Sequence, residues 1–520
     1  MDDGVACKEE PMNLTPLVRP FFLHKAANVR SWQGRIRMVQ LRQLQWLLSR
    51  GASTKWGQEH GLDASSGRDI DRAYDELRRA VSMVQSYPDI RESVMRMVGG
   101  EADVLWPGVT RRFAQSSGTS DGKSKYIPIT DDSLRVNHYD GGSQVVAQYL
   151  SLYPDSRLFS GKSFILGGSY ANELSLRSGV KVGDLSATLI DCINPFANLV
   201  RVPSKKVALM ADWEEKLPRL IEASMCEDIT NISGVPSWFL TVLKGVMQKA
   251  GVSCIHDVWR NLEVFFHGGI SMAPYREQYA HITRQGMRYL ESYNASEGFF
   301  AVQDTIDSPG MLLLLDSGVF YEFIPLSEID SDRHSTIPSW EVEQGKVYSI
   351  VISACNGLWR YTPGDTVRVE SVDPLRITIA GRTKCFINAF GEELMVENAE
   401  AAMTRVCRDM DCSVVNYTAA PVYASDNSRG RHEWLIEFDR EPASIEAFAA
   451  SLDIALQDVN SDYQAKRAHD IFLDPLTVVK GRSGVFNDWL ASTGKLGGQR
   501  KVPRLSNTRN PIDDILELNR

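Results

Sequence analysis

Residues Ser116, Ser117, Gly118, Thr119, Ser120, Asp121, Gly122, Lys123, Ser124 and Lys125 bring hydroxyls, glycines and two lysines into one short stretch between apolar runs at 109–114 and 126–129. Such a loop can wrap a polyphosphate. Glycine lets backbone N–H groups approach an anion, hydroxyls add short donors, and lysine adds a mobile positive charge. The Walker pattern does not fit, because only three residues separate Gly118 from Gly122, and Pro128 excludes a helix interior just beyond. The spacing predicts strand, loop, strand, with a helix starting after Thr130, Asp131 and Asp132, which offer N-cap chemistry. A flexible Ser/Gly linker has the same composition, so other segments must decide.

Four of them carry chemistry-bearing residues. Tyr293-Asn294-Ala295-Ser296-Glu297-Gly298 offers an aromatic plane, a hydroxyl and a carboxylate. The ring can stack on a base and the carboxylate can hold Mg²⁺; a strand end with a buried tyrosine is the plainer reading. Trp359-Arg360-Tyr361-Thr362-Pro363-Gly364-Asp365 sets a carboxylate on a tight turn, able to accept both hydroxyls of a ribose or simply to form the turn. Gly381-Arg382, followed by 386–388, reads as a hinge into a new domain. Near the C-terminus, Lys495 and Lys501 lie in a basic loop that could equally be a solvated tail. Gly167-Gly168-Ser169-Tyr170-Ala171 lacks the last glycine of a nucleophile elbow and reads as a structural turn.

The elements around these residues alternate. A helical stripe from Ile36 to Leu48 ends at Gly51, expected to be its stop signal; further helices are expected over 133–150, 217–225 and 235–249, and a short strand over 262–267 ends in Gly268-Gly269. From 345 to 380 an antiparallel meander is expected, with a hairpin at Asn356-Gly357. Beyond it, helices over 396–407 and 445–459 and strands over 413–423 and 432–438 make a compact α+β unit. The fold class is therefore α/β. A large N-terminal domain over 1–380, holding α/β sheets and a small barrel or meander, is followed by a hinge at 381–384 and a mobile α+β domain over 385–520.

Composition bounds the function. The chain has 520 residues, 43% apolar and 24% charged, which are globular values. A net charge of −9 argues against nucleic acid as a partner. The acidic, polar start and the absence of a membrane-length apolar run point to a cytoplasmic protein that does not enter membranes, expected to be a monomer. Eight scattered cysteines without C-x-x-C, and nine histidines that do not cluster, read as reduced thiols rather than a zinc site.

The order of the segments matters more than any one of them. A Ser/Thr/Gly loop, then Y-x-x-S-E, Y-x-x-G-D, a G-R hinge and a late lysine resembles the adenylate-forming superfamily and, within it, the auxin-responsive acyl-acid amido synthetase family in a form like its bacterial members. Residues 116–125 match that family's S-S-G-T-S-x-G-x-x-K loop in full. The resemblance implies an enzyme that uses ATP and Mg²⁺ to activate a carboxylic acid as acyl-AMP and passes the acyl group to an amine, expected to be an amino acid. Acyl-CoA ligation or non-catalytic nucleotide binding on the same scaffold are the alternatives. Ser116, Ser117, Gly118, Thr119 and Ser120, with Lys125 nearby, would wrap the phosphates; Gly268 and Gly269 would admit adenine against the backbone; and Tyr293 would pack on the base. Ser296 would touch phosphate, Glu297 would bind Mg²⁺, Asp365 would grip the ribose and Arg382 would sit at the hinge. Lys501, in a segment like the family's Q-Y-K-x-P-R, would reach in from the small domain, with Lys495 as the alternative. Two departures stand out: Pro363 occupies the turn, and Phe390-Gly391-Glu392-Glu393 lacks a lysine that plant members place just after the hinge strand.

Overall fold

The computed structural model describes residues 12–63, 65–116, 125–172, 174, 179–269, 272, 275–306, 310–329, 335–382, 386–387, 389, 392, 394–422, 430–460, 463–464, 467, 473–493, 502–506 and 508–520, with the side chains of 30, 116, 237, 327 and 382 set aside. Among them, thirteen strands form one continuous sheet. Its first part is parallel: Arg201–Val202, Lys162–Ile165, Ile229–Gly234, Val264–Gly268 and Arg288–Ala295 lie side by side. The sense then reverses. Arg288–Ala295 turns back into Gly298–Val302, which continues through Met311–Leu313 into Leu375–Arg382 and the antiparallel strands Asp365–Val372, Val347–Ala354 and Val319–Pro325. The expected meander is present. It forms no separate barrel among the described residues, because Met311–Leu313 pairs with strands on both sides and joins the meander to the parallel strands.

The parallel strands are covered on both faces, which is why Val264–Gly268 reads Val-Phe-Phe without alternation. Phe265 packs with Phe164, Ile232, Phe239 and Leu243 beneath helices Trp213–Met225 and Pro236–Ala250. Its neighbour Phe266 faces the other way, into the core shared with helices Ile36–Gly51, Tyr87–Val98 and Tyr139–Leu152. Gly51 does end its helix, but without a left-handed turn. Its role is close packing, since a Cβ there would lie 2.5 Å from the Trp359 ring. Trp56 stacks on the same ring at 4.9 Å, so this corner fixes the start of the Trp359–Asp365 segment.

The unit beyond 385 has its own core. Strands Ser413–Val422, Arg431–Arg440 and Thr477–Gly481 form a sheet. One face, through Tyr417, Trp434 and Ile436, packs on helices Val396–Asp409 and Ile445–Val459. The other, through Ala420 and Leu435, packs on helices Val485–Ser492 and Asn510–Leu518. It meets the larger unit where Lys244 pairs with Asp439 at 3.2 Å and the Tyr275 hydroxyl donates to the Val415 carbonyl at 3.4 Å. No described helix is long and apolar enough to cross a membrane.

Candidate active site

The two strands expected on either side of the loop are present. Arg112–Ser116 pairs antiparallel with Lys125–Pro128, and Ser116 lies opposite Lys125 at the mouth of the loop. Ser117, Gly118, Thr119 and Ser120 lie outside the described residues, as do Lys495 and Lys501; of Ser116 and Arg382 only the backbone is described. The helix after the loop starts where its cap predicts. Thr130 Oγ1 accepts from the Ser133 N–H at 2.9 Å and donates to the Cys355 carbonyl at 2.7 Å, tying the helix start to the meander. Its first turn, Ser133–His138, is a π-helix, a local widening that recurs at functional sites.

That wide turn aims Asn137 at the hairpin that carries Ser296 and Glu297. Arg288–Ala295 and Gly298–Val302 are joined by these two residues, with Ala295 opposite Gly298. Asn137 donates to the carbonyls of Phe299 (3.0 Å) and Ser317 (2.8 Å) and accepts from the Phe299 N–H (2.6 Å). Asn356 donates to the Glu297 carbonyl at 3.0 Å. Gly141 lets the helix come down on the same hairpin, since a Cβ would sit 2.3 Å from Phe299. Asn356 was visible only as a turn former, and an asparagine that bonds backbone far along the chain has no local signature.

Tyr293 and Asp365 come together. The tyrosine hydroxyl donates to Asp365 Oδ2 at 2.5 Å, with both side chains buried. The Tyr293 ring also packs edge-on against Phe300 at 5.0 Å. Asp365 opens its strand opposite Arg382, directly after Gly364 at φ 91°. Gly268 lies in register with Ser292, one residue before Tyr293, and Gly269 follows in the left-handed region at φ 83°. Thus Gly268 and Tyr293 lie on one pair of neighbouring strands, with Gly269 directly after Gly268; Asp365 and the Arg382 backbone lie on another pair in the same sheet, two strands further along; and Ser296 and Glu297 cap the hairpin between them. Glu297 is 6% exposed.

Arg360 positions this segment from behind. Its backbone is left-handed at φ 42°, and its N–H donates to Ser353 Oγ at 2.9 Å. Its guanidinium binds Glu322 (2.9 Å), the Val81 carbonyl (2.6 Å) and Thr336 (2.6 Å). Both members of the ion pair are buried, at 4% and 1% side-chain exposure. The sequence flagged Arg360 only as part of a motif; its partners lie on other segments, Glu322 on a strand, Val81 after a helix and Thr336 before a strand.

On the sheet face toward helix Arg276–Ile282, Glu291 lies opposite His267. Burial, reinforced by Glu400 of the smaller unit and opposed by Arg276, pushes the Glu291 carboxyl up to about 7. Burial, helped by Arg276, holds His267 down to about 4. A carboxyl raised by folding gives stability that is present below its unfolded range and is lost as pH rises toward 7. Glu291→Gln is therefore expected to stabilise the protein by roughly 1–3 kcal/mol at pH ~8.5 and to change little at pH ~5. Urea unfolding at the two pH values checks this, and an equal effect at both would count against it.

Family models match most of the chain. The GH3 family N-terminal domain matches residues 27–286, the GH3 family central domain 312–382 and the GH3 family C-terminal domain 397–510. The chain belongs to the GH3 family. It is 24% identical over 560 residues to jasmonoyl–L-amino acid synthetase GH3.5 of Oryza sativa subsp. japonica, covering 91% of this chain and 92% of that protein. A match of 23% identity over 316 residues to indole-3-acetic acid-amido synthetase GH3.3 of Arabidopsis thaliana spans 57% of this chain and 52% of that protein. Among solved structures, the AtGH3.15 acyl acid amido synthetase in complex with 2,4-DB superposes with a TM-score of 0.77 at 18% identity, covering 97% of this chain and 96% of that one.

Proposed function

We propose that this chain is an ATP-dependent acyl-acid amido synthetase, which activates a carboxylic acid as acyl-AMP with release of pyrophosphate and transfers the acyl group to an amino acid. The observation that carries this reading is the Tyr293–Asp365 hydrogen bond, because it joins the proposed base-binding and ribose-binding segments in one buried contact. The names of the relatives support an acid and an amino acid as small-molecule substrates.

A carboxylate is a poor acyl donor because oxide would have to leave. In the proposed first step its oxygen attacks the α-phosphorus of ATP and pyrophosphate departs; in the second, the amine attacks the acyl carbon and AMP departs. The chain's work is positioning and charge neutralisation. Residues 116–120 and Lys125 hold the phosphates, Gly268 and Gly269 let the base approach the backbone, Tyr293 packs on it and Asp365 takes the ribose hydroxyls. Lys501 approaches from the smaller unit, which turns about Arg382 between the steps.

Mg²⁺, when bound, supplies neutralising charge at the phosphates, and Glu297 is the residue that would hold it. Among the described residues no cluster of three or more His, Cys, Asp or Glu could hold a metal.

Pyrophosphate exchange over aryl, indolyl and fatty acids tests the first step, and amino acids against CoA test the second. Exchange with at least one acid, followed by amide formation, is expected. Glu297→Ala is expected to lose most of its Mg²⁺-dependent exchange. No exchange with any acid would sink the enzymatic reading, and thioester in place of amide would sink the acceptor.

A further inference from the structure

Cys407 and Cys412 meet at a corner of the smaller unit that faces the larger one. Cys407 lies in the last turn of helix Val396–Asp409, and Cys412 immediately precedes strand Ser413–Val422. The chain reverses between them with Asp411 left-handed at φ 51°. The Cys412 N–H donates to the Cys407 carbonyl at 3.0 Å, and the Met410 N–H to the Val406 carbonyl at 3.0 Å. This closure resembles the turn that commonly ends helices. It sets the two residues side by side through their own backbones, and a disulfide requires Cα atoms about 4.4–6.8 Å apart.

Both thiols are free; Cys412 is fully buried and Cys407 partly exposed. The neighbouring Cys407 thiol, with help from Arg440 and against burial, Asp411 and Glu277, holds Cys412 below the ordinary thiol range. The nearness of Cys412, with burial and the charge of Glu277, raises Cys407. Elsewhere, burial raises the Cys192 and Cys355 thiols. Cys412 is the thiol favoured as thiolate, and Cys407 beside it is the one open to solvent, so an oxidant reaches the pair past Cys407.

The same corner feeds the contact between units. Glu277, whose charge reaches both sulfurs, belongs to helix Arg276–Ile282 of the larger unit. Ser413, next to Cys412, donates to Asp439 at 3.3 Å, and Asp439 pairs with Lys244 of the larger unit at 3.2 Å. Two residues further on, the Val415 carbonyl accepts from Tyr275.

We propose that Cys407 and Cys412 are an oxidation site that closes to a reversible disulfide with hydrogen peroxide and thereby tightens the docking of the smaller unit on the larger. The thiolate attacks one peroxide oxygen and the O–O bond breaks, giving a sulfenic acid and hydroxide, which takes up the proton that the thiol released on ionising and becomes water. The second thiol then displaces the sulfenic oxygen as water, forming the S–S bond. Two thiols are oxidised, one peroxide is reduced and two waters leave. The disulfide carries no charge, so the negative sulfur facing Glu277 is gone, and the turn that leads into Ser413 and Val415 is locked.

The test uses the full chain and no substrate. Arg405 and Arg408 let trypsin separate peptide 406–408 from peptide 409–429, so the disulfide joins two otherwise distinct fragments. A few equivalents of peroxide are expected to produce this linked pair ahead of any other cysteine pair. Dithiothreitol should reverse it and Cys407→Ser should abolish it. Amide hydrogen exchange in helices Pro236–Ala250 and Arg276–Ile282 is expected to slow several-fold in the oxidised protein, with no change in Cys407→Ser. Absence of the linked pair overturns the site. A linked pair with unchanged exchange overturns the docking effect.

Discussion

Asp365→Ala lowers kcat/KM for ATP in pyrophosphate exchange by about 10²- to 10⁴-fold, the expected cost of losing two hydrogen bonds to a charged group at roughly 1.5–3 kcal/mol each. The carboxylate is 6% exposed and takes the Tyr293 hydroxyl at 2.5 Å. That bond fixes one oxygen and orients the group, so its proposed hold on the ribose is pre-arranged before nucleotide arrives. Tyr293→Phe keeps the ring and removes the donor; it should lower the same parameter by about 10-fold. The two substitutions share one contact and their effects should not add. Exchange within twofold of the parent for Asp365→Ala would place the nucleotide elsewhere, whatever else the protein does.

The second large effect is on stability. Arg360→Met is expected to cost about 3–5 kcal/mol, read as a shift of the urea midpoint, because it strands Glu322 as a buried carboxylate without its counter-charge. Tyr74 and Thr336 still donate to Glu322 Oε1 at 3.0 and 2.7 Å, but two neutral donors do not replace a guanidinium. The Val81 carbonyl, which accepts from Arg360 Nη1 at 2.6 Å, also loses that bond. Replacing Glu322 with leucine in the same molecule should recover much of the loss, since removing both charges of a buried pair is far milder than removing one. A single variant within 1 kcal/mol of the parent would show that water reaches the pair.

Local grammar was legible and long-range pairing was not. Asn356-Gly357 marked the hairpin in the meander, and Pro128 ruled out a helix behind the loop, because each acts through its own backbone. Helix 445–459 was read to the residue, flanked by Ser444, which caps it through the Ala447 N–H. By contrast, helix Thr15–Arg30 went unread. Pro16 stands in its first turn and Pro20 lies inside it, and both suppress a helical reading although a first-turn proline is well tolerated. The junction at Met311–Leu313 was equally hidden, since three apolar residues do not name their partners. At the site, residue types pointed to Tyr293, Glu297 and Asp365. Asn356 bonds to the Glu297 carbonyl across 59 residues, and no local pattern records such a bond.

Asp365 and Arg382 face each other on the terminal rung of their ladder. The proposed grip on the sugar and the proposed pivot are thus rigidly geared rather than merely adjacent. Torque applied by the swinging unit would be felt first at the carboxylate, and a seated nucleotide would in turn brake the swing.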